Sequence, residues 1–213
     1  RILIDGRAAL ETLGRDQLVA ARTKFAWLVQ HYPHEARFHV GLATACAFWF
    51  QSTRADLAPD YAAAQVAVTR AREACRLDPG YAAAWFTLGF SLLGVGAGAD
   101  ALAAHARAVT LDPDHWQFQI GYAHAAFSED RLVAVRRALK LMPGLAIAHW
   151  LAAQVHVGRG VLDKAERDVD EGLIAMSGAR VVPERFAAIG LHWCRAVRPA
   201  IPSASTVGPA SWC

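Results

Sequence analysis

Residues 77–113 read LDPGYAAAWFTLGFSLLGVGAGADALAAHARAVTLDP, and the triplet Leu-Asp-Pro stands at both ends of this stretch. The step from Leu77 to Leu111 is 34 residues. Proline has no backbone N–H and disfavours helix in the residue before it, so each triplet predicts the end of a helix. The glycine-rich segment 94–98 predicts a turn between the two triplets. The stretch therefore predicts two helices joined by a turn.

The 34-residue period and the order of residues within it resemble one repeat of the tetratricopeptide family. The residues that carry the resemblance are Trp85, Leu88, Gly89 and Leu92, followed by Ala101, His105 and Ala108. Each repeat of that family is a pair of antiparallel helices, A and B, with small residues where they cross. The resemblance implies an all-α fold, a right-handed superhelical solenoid of about five helix pairs plus a terminal helix.

The other repeats are less regular than the one that contains Trp85. The second is long, because Pro33 and Pro79 are 46 residues apart, and we expect an insertion at about residues 50–60. The fourth is short, since only 30 residues separate Pro113 from Pro143, and we assign Ile120-Gly121 to its Leu-Gly place. The predicted domains are a repeat domain, residues 1–197, and a tail rich in proline and serine, residues 198–213.

The composition excludes several classes of protein. A hydrophobic fraction of 54% excludes a disordered chain. The net charge of +3, from 22 basic and 19 acidic residues, is too balanced for a nucleic-acid partner or a polybasic membrane anchor. Residues 80–99 contain no charged residue, and this stretch is long enough for a membrane-spanning helix. The glycines within this stretch predict a turn instead. We expect neither nucleic acid nor a membrane as partner.

No group of residues in the sequence predicts catalysis, a cofactor or a metal site. No phosphate-binding loop, nucleophile elbow or zinc spacing is present, so the protein is predicted not to be an enzyme. His149 and His156 lie two helical turns apart, but repeat places of this kind are usually filled by aromatic residues. We interpret both as packing residues. The four cysteines have no CxxC spacing, which favours a reduced, cytoplasmic location.

A cluster of basic residues lies on the predicted second helix of the fourth repeat, and we interpret it as a solvated face. An alternative is a patch for an acidic partner. The cluster consists of Arg131, Arg136, Arg137 and Lys140.

In the tetratricopeptide family, the second, fifth, ninth and twelfth places of helix A project into the concave groove where ligands bind. Carried over place by place, the resemblance implies a peptide-binding set of Arg37, Val40, Thr44, Phe86, Phe90, Phe118, Tyr122, Trp150 and Gln154. Family members that bind a C-terminal carboxylate use Lys and Asn there, because a carboxylate needs charged and amide donors. The apolar residues of this set argue against such a carboxylate clamp.

The aromatic members of this set have two interpretations. Large aromatic side chains dominate interface hot spots, so they favour a groove for an apolar or amphipathic peptide or helix. Aromatics at helical spacing are also typical of packing between repeats, and the tail that contains Trp212 could cover the groove instead. The leading hypothesis is a non-enzymatic scaffold that binds a protein or peptide. The alternative is a sensory or oligomerisation region of a larger bacterial transcription or signalling regulator, since the sequence begins at Arg1 and its first repeat is degenerate.

Overall fold

A computed structural model of the chain describes residues 14–177, and this range contains nine α-helices and no strand. The helices are α1 Arg15–His31, α2 Ala36–Thr53, α3 Tyr61–Leu77, α4 Ala82–Gly94, α5 Gly98–Leu111, α6 Trp116–Ala125, α7 Ser128–Leu141, α8 Ala146–Gly158 and α9 Leu162–Ser177. The all-α prediction is confirmed for this range. Among these helices, none has the length and apolar character that a bilayer crossing requires. The predicted domain boundary at residues 197/198 lies outside the described residues.

Consecutive helices pack as hairpins. Helix α1 is the second helix of the first repeat, and the pairs α2–α3, α4–α5, α6–α7 and α8–α9 form the next four repeats. The chain divides into two compact units between Asp114 and His115. The first compact unit contains α1 to α5 and the second contains α6 to α9.

Small residues stand where the two helices of a repeat cross. Ala43, Ala123 and Ala153 have no exposed surface, and Gly89 is buried at the same place of its repeat. A Cβ atom on Gly89 would lie 2.7 Å from the ring of His105, which is 1% exposed. The helices can therefore approach closely only because these positions lack a large side chain.

Prolines set the start of each helix A. Helices α2, α4, α6 and α8 each begin three residues after a proline, at Pro33, Pro79, Pro113 and Pro143. Two of these turns are tied to the helix by a side chain six residues after the proline. His39 Nε2 lies 2.8 Å from the carbonyl oxygen of Pro33, and Trp85 Nε1 donates to that of Pro79 over 2.9 Å. A carbonyl can only accept, so the His39 Nε2–H is the donor.

The predicted register of the fourth repeat is wrong by two residues. Counted from Pro113, the place of Gly89 is occupied by Ala123, whereas the sequence analysis assigns Gly121 to it. Two residues rotate a helix face by about 200°. Phe118 is therefore turned into the core, where it is 6% exposed and stacks on His115 with a centroid distance of 4.1 Å.

The insertion of the second repeat, predicted at about residues 50–60, is partly helical. Helix α2 continues through Phe50, which is 3% exposed, and ends at Thr53. Asp60 then starts α3: one oxygen of its carboxylate accepts from the Ala63 N–H over 2.9 Å, and the other accepts from Trp49 Nε1 over 2.8 Å. The burial of an additional apolar turn extends the helix, so that only residues 54–60 lie outside α2 and α3.

Cys46 and Cys75 are free thiols in the core of the first compact unit. Burial raises the pKa of the Cys75 thiol to about 11, and it also raises the pKa of Cys46. Both thiols are therefore protonated at neutral pH, and a protonated thiol is a poor nucleophile.

We expect Cys46 and Cys75 to resist alkylation by iodoacetamide at pH 8 in the folded protein and to react within minutes in guanidinium chloride. Peptide mass spectrometry after a timed quench assigns the modification to each cysteine. Rapid labelling of Cys75 in the folded chain would contradict its burial.

The close packing of α1 on α2 predicts the effect of a single methyl group. A Cβ atom at Gly41 would lie 2.2 Å from Phe25, a ring that is 1% exposed and cannot move into solvent. We expect Gly41→Ala to lower the free energy of unfolding by about 1–3 kcal/mol, measured by urea titration.

The matched control is Gly98→Ala at the first turn of α5, where a Cβ would meet no atom within 4 Å. Its effect should stay within about 1 kcal/mol and be neutral or stabilising, because alanine restricts the unfolded chain. Equal effects of the two substitutions would show that the Gly41 contact does not limit the packing.

Candidate functional site

Two places of helix A remain accessible in four successive repeats. They are the fifth and the ninth, counted from the first residue of the helix, which lies three residues after its proline. None of the eight side chains is fully buried, in contrast to the small residues at the neighbouring eighth place. They are Val40 and Thr44 on α2, Phe86 and Phe90 on α4, Ile120 and His124 on α6, and Trp150 and Gln154 on α8. These are the groove places of the family.

The first face, in the first compact unit, consists of Val40, Thr44 and Phe48 on α2 with Phe86 and Phe90 on α4. All five side chains are half-buried, and the rings of Phe48 and Phe90 join the two helices at a centroid distance of 5.3 Å. Phe90 and Val40 each pack against a buried cluster of this unit. The first face therefore combines packing with exposed apolar surface, so both interpretations of the aromatics apply to it.

Arg37, a predicted groove residue, lies at the start of α2. Its Nε is 3.0 Å from a carboxylate oxygen of Glu35, and its guanidinium lies 4.8 Å from the centroid of the Phe38 ring. Both charged side chains are largely exposed. Such an exposed ion pair contributes little to stability.

The second face, in the second compact unit, consists of Ile120, His124, Trp150 and Gln154. The Trp150 ring is half-buried and meets the edge of the His124 ring at a centroid distance of 5.8 Å. Ile120 and Trp150 also pack against the buried cluster of this unit, as does the predicted residue Tyr122. In the observed register the fifth and ninth places of the fourth repeat are Ile120 and His124, in place of the predicted Phe118 and Tyr122.

Arg131 has a structural role that its spacing in the sequence does not indicate. Its Nε donates to the carbonyl oxygens of Ala123 and Ala126, each over 2.9 Å, and its Nη1 donates to Gln154 Oε1 over 3.1 Å. Helix α6 ends at Ala125, and its last carbonyls have no partner within the helix. Arg131 satisfies these carbonyls and orients Gln154, so it is not part of a solvated basic face.

Arg136 fits the interpretation of an exposed residue. Its Nη2 lies 3.0 Å from Glu129, and both side chains are mostly in solvent.

The two histidines of α8 face carboxylates of α9. His156 Nδ1 lies 2.6 Å from Asp168 Oδ2, and His149 Nδ1 lies 3.4 Å from Glu171 Oε2. Burial lowers the pKa of His149, while the carboxylates oppose that shift. Burial raises the pKa of Asp168, and the hydrogen bond with His156 opposes that shift. Spacing within one helix does not associate these four residues, because they lie on two different helices.

A cavity of about 810 Å³ in the first compact unit lies between α1 and α3. Arg70, Arg72, Glu73 and Arg76 line its α3 side. Apolar residues such as Val29 and Leu42 line the rest of the cavity, and no residue of its lining belongs to the first face.

No protein-family model matches this sequence, and no curated protein matches it. Solved structures do resemble it. TTC0263, a thermophilic TPR protein in Thermus thermophilus, superposes with a TM-score of 0.64 at 13% identity, over 90% of this chain and 100% of that one. The chain has the tetratricopeptide-repeat fold.

Two further solved structures share this fold. YrrB, described as a TPR protein with an unusual peptide-binding site, gives a TM-score of 0.57 at 17% identity, with 84% of each chain covered. A human IFIT1 dimer with m7Gppp-AAAA gives 0.68 at 14% identity, over 92% of this chain and 46% of that one. At these identities the likeness extends to the fold alone.

The contacts of Arg131 predict a loss of stability when its charge is removed. We expect Arg131→Met to lower the free energy of unfolding by about 2 kcal/mol, because buried carbonyl oxygens lose a charged donor. Arg136→Met on the same helix is the control and should change it by less than about 0.5 kcal/mol, since Arg136 forms an exposed pair. Urea titration followed by circular dichroism measures both. Equal effects of the two substitutions would show that the Arg131 contacts do not stabilise the fold.

Proposed function

We propose that this protein is a non-enzymatic protein-interaction scaffold whose A-helix faces bind an apolar or amphipathic peptide or helix. The observation that carries the proposal is the first face, where half-exposed apolar side chains of α2 and α4 meet at the contact between Phe48 and Phe90. Aromatic residues that are already held by packing lose little entropy when a partner covers them.

The spacing of the first face suits a helical partner. Val40, Thr44 and Phe48 follow one another at intervals of four residues, which is about 6 Å along α2. An amphipathic helix presents its apolar anchors at a similar spacing of three or four residues, at positions i, i+4 and i+7. A partner helix that lies along α2 and α4 could therefore place one apolar side chain beside each residue of the row.

The second face supports binding of a different character. Trp150 supplies a large apolar surface, and Gln154 beside it is oriented by Arg131. Tryptophan is among the residues most enriched in interface hot spots. We infer that a segment bound to this face makes apolar contacts with Trp150 and a hydrogen bond with the Gln154 amide.

The structural neighbours are consistent with a protein or peptide ligand but do not identify one. YrrB is described as having a peptide-binding site, and IFIT1 was solved with a capped RNA. The net charge of +3 and the apolar first face favour the peptide for this chain. A nucleic-acid ligand needs a strongly basic surface to neutralise its phosphates.

A charge on the first face should weaken binding. Peptides are selected from a display library with the full chain as bait, and their affinities are measured by fluorescence anisotropy. We expect Thr44→Arg to weaken the selected peptides at least about tenfold, because the guanidinium loses hydration when an apolar segment covers it.

Thr69→Arg on α3 is the matched control: Thr69 is exposed and lies outside the first face. It should leave the affinity unchanged, and circular dichroism should show that both variants are folded. The proposal fails if no peptide is selected, and binding by the first face is contradicted if every selected peptide binds the two variants equally well.

A further inference from the structure

Three side chains with metal-binding atoms converge on one side of the α8–α9 hairpin. One ligand atom from each of His149, Asp168 and Glu171 lies within 4.8 Å of the other two. Both helices of the hairpin are continuous at these positions. Residues of rigid helices, and not of loops, therefore position all three donors.

His149 is the observation that points to a ligand. The residue is 9% exposed, and its buried Nδ1 forms no hydrogen bond with any described residue. A buried ring nitrogen without a partner is costly, because it loses water and gains nothing in exchange. The nitrogen lies 3.4 Å from Glu171 Oε2, so a carboxylate of α9 is close to it although the two atoms form no hydrogen bond.

The repeat pattern distinguishes His149 from the equivalent residues of the second and third repeats. His149 lies six residues after Pro143, the place that His39 and Trp85 occupy after their own prolines. In those repeats the side chain binds the proline carbonyl oxygen. In the fifth repeat the Nδ1 atom of the equivalent side chain faces the neighbouring helix instead, beside Asp168 and Glu171.

We propose that His149, Asp168 and Glu171 bind a divalent transition-metal ion, and that zinc is the ion they fit best. One imidazole nitrogen and two carboxylate oxygens form a mixed donor set that suits zinc better than calcium or magnesium, which prefer oxygen alone. Two ligands about 2.1 Å from a tetrahedral ion are about 3.4 Å apart. The distance between His149 Nδ1 and Glu171 Oε2 has this value.

His156 has a positioning role in this proposal. It lies 2.6 Å from Asp168 Oδ2, and a carboxylate that accepts one hydrogen bond keeps a second oxygen for a metal ion. Residues that orient a ligand in this way tune metal affinity without touching the ion. Three protein ligands leave a fourth position for water or for a side chain of a partner.

The site is independent of peptide binding by the A-helix faces, and its test uses metal alone. The full chain is stripped with a chelator, dialysed, and titrated with ZnCl₂ in competition with a chromophoric chelator. We expect one saturable site per chain, a rise in Tm on addition of zinc, and a visible absorption band of tetrahedral Co²⁺ when cobalt replaces zinc.

Glu171→Gln is the decisive variant. The Glu171 side chain is 62% exposed, so its amide should leave the fold intact, as far-UV circular dichroism can verify. We expect Glu171→Gln and His149→Ala each to weaken zinc binding by on the order of 100-fold. Asp163→Asn is the matched control, because Asp163 is an exposed carboxylate on the same helix outside the cluster.

The positioning role has a separate readout. His156→Ala should weaken zinc binding by about 10- to 100-fold and leave the position of the Co²⁺ band unchanged, because the three ligands remain. Absence of a saturable site, or binding that survives Glu171→Gln in the folded chain, would overturn the proposal. A shift of the Co²⁺ band in His156→Ala would overturn the positioning role and show that His156 is itself a ligand.

Discussion

The close approach of paired helices at alanine and glycine is the constraint on which the rest of the structure depends. At Gly89 the ring of His105 occupies the space that a Cβ atom would take, and at Gly41 the ring of Phe25 does the same between repeats. Large rings thus fill the gaps that small residues leave open. The core therefore combines a few buried rings and leucines such as Leu18 and Leu151 with many alanines that allow close contact.

The proline turns convert this packing into a defined surface. Each described helix A starts three residues after its proline, so the distance from the proline decides which side chains face inward and which remain accessible. The eighth place then faces helix B, while the fifth and ninth places lie on an adjacent stripe of helix A, about 60° to 100° around the helix from it. Accessible residues such as Phe90 and Trp150 follow from the register and do not require a separate explanation for each repeat.

The sequence was sufficient to predict the register of a repeat where its proline and its small residue indicate the same register. In the repeat of Trp85 and Gly89 both signals predict the same register, and the helices have the expected bounds. In the fourth repeat Gly121 imitates the small residue of the pattern, whereas Pro113 indicates the register that the structure has. The sequence could have resolved this conflict, because a proline restricts the backbone directly while glycine is common at many places.

Other features depend on contacts between helices, which the spacing of residues within one helix does not show. The carboxylates of Asp168 and Glu171 reach the histidines of α8 only because the hairpin packs α9 beside α8.

The hydrogen bonds of Arg131 with the end of α6 also depend on a contact between helices, since only two residues connect α6 to α7. These hydrogen bonds determine the chemistry of the second face. Arg131 can only donate, so Gln154 presents its carbonyl oxygen to Arg131 and its amide N–H groups point away from that contact. The first face has no comparable polar group among its five residues apart from the hydroxyl of Thr44. A segment that binds beside Trp150 therefore needs a hydrogen-bond acceptor, whereas a segment on the first face needs apolar side chains. This difference would let the two compact units select different segments of a partner, although both are built from the same repeat.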